Sequence, residues 1–106
     1  MKYLIRQAIL LAFYDFANPQ EERVILFHEA LKQAMGKMVI EGPDAMAVKQ
    51  EITELCNLDF LHPIAGCEGW FKLSKETRLQ LTAAEGKLNR SELKNDPRIF
   101  GPGALQ

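Results

Sequence analysis

The hydrophobic pattern of this chain changes its period after Asn57, and that change limits the folds open to it. Before Asn57, apolar residues recur at intervals of three and four, which is the period of amphipathic helices. After it, the short apolar runs Phe60–Ile64 and Trp70–Leu73 flank a loop that contains Gly66 and Gly69. Glycine adopts the positive backbone dihedrals that hairpin loops require, so this pattern predicts an antiparallel hairpin.

The first predicted helix runs from Lys2 to Ala17. Its apolar residues form a broad stripe at helical spacing: Leu4, Ile5, Ala8, Ile9, Leu10, Leu11, Ala12, Phe13 and Phe16. A stripe this wide indicates a helix that is buried on more than one side, either centrally in the domain or against a second subunit. A homodimer through this helix is therefore one expectation. A secretion signal fits less well, because Arg6 interrupts the apolar run and no small-residue cleavage site follows Asp15.

A proline and its preceding residue separate the first predicted helix from a second one. Asn18 is suited to the N-cap and Pro19 to the first helical position, and the apolar spacing predicts that this helix continues to about Met35. The stretch Lys37–Glu41 that follows is too short for a helix. It is compatible with a brief strand or with a packed loop.

A third helix is predicted to open at Gly42–Asp44 and to end at Asn57. The residues expected to face the core are Ala45, Val48, Ile52, Leu55 and Cys56. The residues expected on the outward face are Ala47, Gln50, Glu51 and Glu54. On this prediction the outward face carries more acidic than basic groups.

A fourth helix is predicted directly after the hairpin. Ser74 has the side chain of an N-cap, the helix is expected to run to about Ala84, and Gly86 is placed to stop it. Leu79 is the expected contact with the core. Because Pro63 has no backbone N–H, the first strand of the hairpin is expected at an edge of the sheet or at a bend.

The chain after the fourth helix mixes charged residues with glycine and proline. We therefore expect a domain over residues 1–86 and an extended C-terminal tail over residues 87–106. Ile99 and Phe100 are the residues expected to anchor the tail to the domain.

Two segments together resemble a known family. The run Ile52–Leu61 and the run Gly69–Arg78 resemble the recognition helix, wing and following helix of winged helix-turn-helix domains. In that family the second wing strand leads into a helix start of the type Leu-Thr/Ser-x-x-Gly-Arg, and Leu73–Arg78 follows this pattern with Thr77 in place of the glycine. The resemblance covers Gln20–Leu81. It implies an α+β, mostly helical fold with a three-helix core, a β-hairpin wing and a fourth helix.

The resemblance also implies a partner, because winged-helix domains most often bind double-stranded DNA in transcription regulation. The residues expected to approach bases are Lys49, Gln50 and Thr53, and those expected to contact phosphates are Lys72, Lys75 and Arg78. Against this stands the acidic outward face of the third helix, since carboxylates are repelled by phosphates. The alternative is a protein-interaction adaptor or a homodimeric module that does not bind DNA.

Composition limits the remaining function classes. The 106 residues carry 13 basic and 14 acidic side chains, for a formal net charge of −1, which does not favour nonspecific coating of nucleic acid. Two cysteines suit a reducing, cytoplasmic location. Zinc sites usually contain closely spaced ligand pairs such as Cys-x2-Cys or His-x3-His. The spacing of Cys56, His62 and Cys67, with His28 as a distant fourth ligand, contains no such pair. Because the chain also lacks catalytic and phosphate-binding motifs, we expect no enzyme activity, metal or cofactor.

Overall fold

The structure, a computed structural model, describes residues 2–16, 25–26 and 45–102. The described elements follow one another in this order: α1 (Lys2–Phe16), β1 (Ile25–Leu26), α2 (Ala45–Asn57), β2 (Leu61–Pro63), β3 (Trp70–Leu73), α3 (Lys75–Ala83), two 3-10 turns (Leu88–Arg90 and Glu92–Asn95) and α4 (Pro97–Phe100). The fold is a mostly helical α+β domain. No helix within the described ranges combines the length and the hydropathy that crossing a membrane requires.

The predicted hairpin is confirmed. Strands β2 and β3 are antiparallel, and Leu61 pairs with Leu73, His62 with Lys72, and Pro63 with Phe71. Among the described strands the sheet order is β1-β3-β2, so Pro63 lies on an edge strand, as its missing N–H predicts.

Strand β1 corrects the prediction of a continuous second helix from Pro19 to Met35. Ile25 and Leu26 are strand residues that pair antiparallel with Phe71 and Trp70 of β3. The second edge of β3 carries backbone donors and acceptors that need partners, and this short strand supplies them. The rest of the predicted second helix and the stretch 37–41 lie outside the described residues.

Helix α1 is the central helix of the described structure. The residues buried on it are Ile5, Arg6, Ala8, Ile9, Leu10, Ala12 and Phe13, and the helix packs against α2, β3 and α4. Contacts within one chain therefore account for the width of its apolar stripe. Leu4 departs from the prediction, because half of its surface is exposed. A homodimer through this helix stays a prediction.

Helix α3 begins as predicted at the N-cap Ser74, whose hydroxyl accepts a hydrogen bond from the Thr77 N–H at 3.3 Å. The Ser74 hydroxyl in turn donates to Thr77 Oγ1 at 2.7 Å, which gives the buried threonine a role that glycine would not have. The prediction that Leu79 faces the core is wrong, because 54% of it is exposed. Thr77 and Leu81, four residues apart, form the buried face, and Leu79 lies between them on the opposite side.

The prediction of an extended tail is also wrong for the described part, residues 87–102. The chain there forms two 3-10 turns and α4, with Ser91 and Asp96 as side-chain caps and Pro97 at the first position of α4. Leu88, Leu93 and Ile99 belong to the same hydrophobic core as α1 and α2. Ile99 is fully buried and Phe100 packs against the core, so both predicted anchors are confirmed. The division of the chain after residue 86 stays a prediction.

The Asp96 cap makes stability depend on pH. Asp96 accepts hydrogen bonds from the Arg98 N–H and Nε, both at 2.9 Å, and from Arg98 Nη2 at 2.7 Å. The Arg98 side chain, helped by its backbone N–H and charge and opposed by burial, holds the pKa of Asp96 below its ordinary value. A carboxylate with a lowered pKa in the folded state stabilises the fold above its unfolded pKa, and this stability is lost as the pH falls through the folded pKa.

We therefore expect Asp96→Asn to flatten the acid limb of the stability curve. Between about pH 5 and about pH 2, the wild-type chain should lose more unfolding free energy than the variant, since asparagine still caps the helix but does not titrate. Urea unfolding at a series of pH values measures this. Equal losses in the two chains would contradict the assigned role of Asp96.

Candidate nucleic-acid interface

The exposed face of α2 carries the three residues that were predicted to approach bases. Lys49, Gln50 and Thr53 are all exposed, and their spacing of one and three residues puts them on one side of the helix. The opposite side packs Val48, Ile52 and Leu55 into the core. Thr53 Oγ1 donates its proton to the Lys49 carbonyl at 3.1 Å, so this hydroxyl can offer a partner only an acceptor.

Glu51 corrects the prediction of an acidic outward face. It is buried, with 8% of its surface exposed, and its Oε1 accepts a hydrogen bond from Arg6 Nε at 2.8 Å. Sequence alone placed it outward because its partner lies 45 residues away on α1. With this charge neutralised inside the fold, the exposed side chains of α2 from Met46 on are those of Met46, Lys49, Gln50, Thr53 and Asn57. Among the described residues, the half-buried Glu54 and Glu68 of the hairpin loop keep carboxylates near this face.

The hairpin loop lies beside this face. Gly66 and Gly69 have positive φ angles of 79° and 85°, which a hairpin loop of this shape requires. The Cys67 N–H donates to the Ile64 carbonyl at 3.1 Å and the Trp70 N–H donates to the Cys67 carbonyl at 3.0 Å, so the loop is internally bonded. Its end is therefore a formed, exposed surface next to α2.

A groove of about 270 Å³ runs between α2 and the hairpin. Lys49, Ile52 and Thr53 line one wall, and Glu68, Gly69 and Phe71 line the other. The floor is apolar, whereas the rim has one ammonium and one carboxylate. Sequence reasoning missed this groove because it depends on how the helix packs against the strands.

The three predicted phosphate contacts do not line this groove. Side chains alternate along a strand, so Lys72 lies on the face of β3 opposite to Phe71 and Leu73, which pack toward the core. Lys75 and Arg78 share a face of α3 because they are three residues apart, with Lys75 exposed and Arg78 half-buried. The structure thus groups Lys49, Gln50 and Thr53, and separates Lys72 from the groove.

An acidic cleft marks another side of the molecule. It has a volume of about 340 Å³ and lies between the end of α2, helix α3 and the tail. Its carboxylates come from the turn after α2, from α3 and from the tail: Asp59, Glu76, Glu92 and Asp96. One guanidinium, that of Arg98, also lines it and lies 4.7 Å from the centre of the Phe60 ring. This side would repel a polyanion, so electrostatics favour an approach from the α2 side.

The cysteine and histidine residues show no shared site in the described part of the chain. Cys56 is half-buried, and burial raises the pKa of its thiol. Cys67 is exposed in the hairpin loop, and His62 Nε2 lies 2.8 Å from Asp59 Oδ1. Within residues 2–16, 25–26 and 45–102, no group of three His, Cys, Asp or Glu side chains is placed to hold a metal ion. His28 lies outside these ranges.

Comparisons of the chain with models of protein families, with curated proteins and with solved structures found no match.

Proposed function

We propose that this chain is a non-enzymatic winged-helix module that binds double-stranded DNA, in the manner of a transcription regulator. In this proposal α2 enters the major groove and the hairpin β2–β3 is the wing. The observation that carries it is the exposed face of α2, where Lys49 and Gln50 present donors and Gln50 and Thr53 present acceptors suited to base edges. Because Glu51 points into the core and pairs with Arg6, its carboxylate does not repel DNA phosphates at this face.

The order of the elements supports a winged-helix arrangement. The hairpin follows α2 after a three-residue turn and packs against it, so the helix and the wing are held as one surface. Strand β1, from the segment between α1 and α2, pairs with β3 and extends the hairpin to three strands.

We propose that Lys72, Lys75 and Arg78 bind phosphates on either side of the groove that α2 enters. Phosphate contacts release counterions, so each of them adds to the salt dependence of binding. The chain has a net charge of −1 and an acidic cleft, so DNA is attracted by this group of basic side chains and not by the protein as a whole. Because these contacts are with phosphates, the affinity should fall steeply as the salt concentration rises.

Fluorescence anisotropy with a mixed-sequence duplex at low salt tests the proposal. We expect saturable binding to the mixture. On a duplex selected from it for tight binding, Lys49→Ala and Gln50→Ala should each weaken the affinity by about fivefold or more, as expected for residues that contact base edges. Lys94→Ala is the matched control, because Lys94 is an exposed lysine in the tail, and it should leave the affinity unchanged. Absence of binding at low salt, or an equal loss for Lys94→Ala, would overturn the proposal.

A protein-interaction module is the second candidate. Leu79 is exposed on α3 and borders a groove of about 410 Å³ that Ala83, Ala84 and the first 3-10 turn also line. In this second proposal a partner protein covers the apolar part of the groove, whose other part is polar and includes Arg90 and Glu92. Light scattering after size exclusion separates a homodimer from a monomer, and a monomer at tens of micromolar would count against self-association.

A further inference from the structure

Arg6 joins three parts of the fold that are distant in sequence. Its Nε donates to Glu51 Oε1 on α2 at 2.8 Å, and its Nη1 donates to the Arg98 carbonyl in α4 at 2.7 Å. Both side chains of the ion pair are buried, with 7% of Arg6 and 8% of Glu51 exposed. The guanidinium is thus shared between the helix that carries the candidate interface and the C-terminal segment.

The C-terminal segment is attached to α1 by further contacts around Arg6. Gln7 Nε2 donates to the Ile99 carbonyl at 3.1 Å, and Ile99 is fully buried. The Tyr3 ring lies so close to Gly101 that a side chain there would begin 3.2 Å from the ring carbons. Helix α4 packs mainly on α1 and on the preceding turn, and Arg6 of α1 is hydrogen-bonded both to α4 and to α2.

A guanidinium is a planar group whose N–H directions are fixed relative to one another. If the Arg98 carbonyl moves, the guanidinium must turn to follow it or lose that bond, and turning changes the direction that Nε offers to Glu51. Loss of either bond would leave a polar group buried without a partner, which is costly. The geometry therefore ties the position of α2 to the docked position of α4.

We propose that Arg6 is a positioning residue that couples the C-terminal segment 96–101 to α2, so that docking of this segment fixes the face carrying Lys49, Gln50 and Thr53. Any partner that displaces the segment then changes the position of that face. The consequence for DNA affinity rests on the proposed function, whereas the coupling itself does not.

Amide chemical shifts of α2 in four full-length chains test the coupling, because they report local position and not global stability. The chains are the wild type, Ile99→Ala, the pair Arg6→Met with Glu51→Met, and the triple variant. We expect Ile99→Ala to move the signals of residues 49–53 in the wild-type background and to leave them in place when the ion pair is replaced. If Ile99→Ala does not fold, Gln7→Ala is used in its place, because it removes only one hydrogen bond to the segment.

Equal movement of the α2 signals in both backgrounds, or none in the wild-type background, would overturn the coupling. The same four chains are then titrated with duplex DNA, where Ile99→Ala should weaken binding about threefold or more only while Arg6 and Glu51 are present. If the wild-type chain binds no DNA, the proposed function fails and the chemical shifts still decide the coupling. If DNA binds and Ile99→Ala weakens it equally in both backgrounds, the coupling fails alone.

Discussion

Replacing Arg6 with methionine is expected to lower the free energy of unfolding by about 3–5 kcal/mol. The variant keeps most of the side-chain volume but leaves the Glu51 carboxylate buried without its ion-pair partner, and it leaves the Arg98 carbonyl without its donor. A buried charge that loses its partner retains the whole cost of its desolvation. Urea unfolding measures the loss as a lower midpoint at an unchanged slope.

Two controls make this result specific to the buried pair. Arg6→Met combined with Glu51→Met should recover most of the loss, because apolar side chains of similar volume replace both charges. Arg90→Met removes a partner from the exposed pair with Glu85, in which Nη1 and Oε2 are 3.8 Å apart, and should cost about 1 kcal/mol or less. A loss for Arg6→Met no larger than that for Arg90→Met would contradict the role given to Arg6.

The second large effect is expected at Gly86, where α3 ends against α1. The Gly86 N–H donates to the Leu81 carbonyl at 2.7 Å with a φ of 76°, and a Cβ at this position would lie 2.6 Å from Tyr14 Cε1. Gly86→Ala should therefore lower the free energy of unfolding by about 1–2 kcal/mol for the positive φ and by a further amount of about 1–3 kcal/mol for forcing the half-buried ring aside. Thermal or urea unfolding should show the combined loss.

Gly66 is the matched control for this substitution. Its φ of 79° is almost the same as that of Gly86, but no atom lies within 4 Å of the position that a Cβ would take. Gly66→Ala should therefore lower the free energy of unfolding only by the conformational part, about 1–2 kcal/mol. Equal losses for the two variants would show that contact with Tyr14 contributes nothing.

Sequence alone predicted the features that short-range chemistry decides. The hairpin follows from the spacing of Gly66 and Gly69 between two apolar runs, and the start of α3 follows from the hydroxyl of Ser74. The inward residues Val48, Ile52 and Leu55 of α2 follow from the helical period. In each case the determining residues lie within one turn or one loop of one another.

The features that sequence did not predict depend on partners that are distant along the chain. Glu51 turns inward because Arg6 meets it across the core, and a carboxylate beside apolar residues gives no local sign of such a partner. Strand β1 is two residues long and gains its character from pairing with β3, since so short a segment has no period of its own. The acidic cleft combines carboxylates from separate segments that only the packing of α3 and the tail brings together.

Two-dimensional NMR during titration with a short mixed-sequence duplex at low salt shows directly whether α2 and the hairpin contact DNA. We predict that the amide signals of Lys49, Gln50 and Thr53 and of the hairpin loop shift progressively, while those of Glu76 and Glu92 in the acidic cleft stay in place. Signals of α2 that do not move at saturating duplex, or shifts that are confined to the cleft, would contradict it.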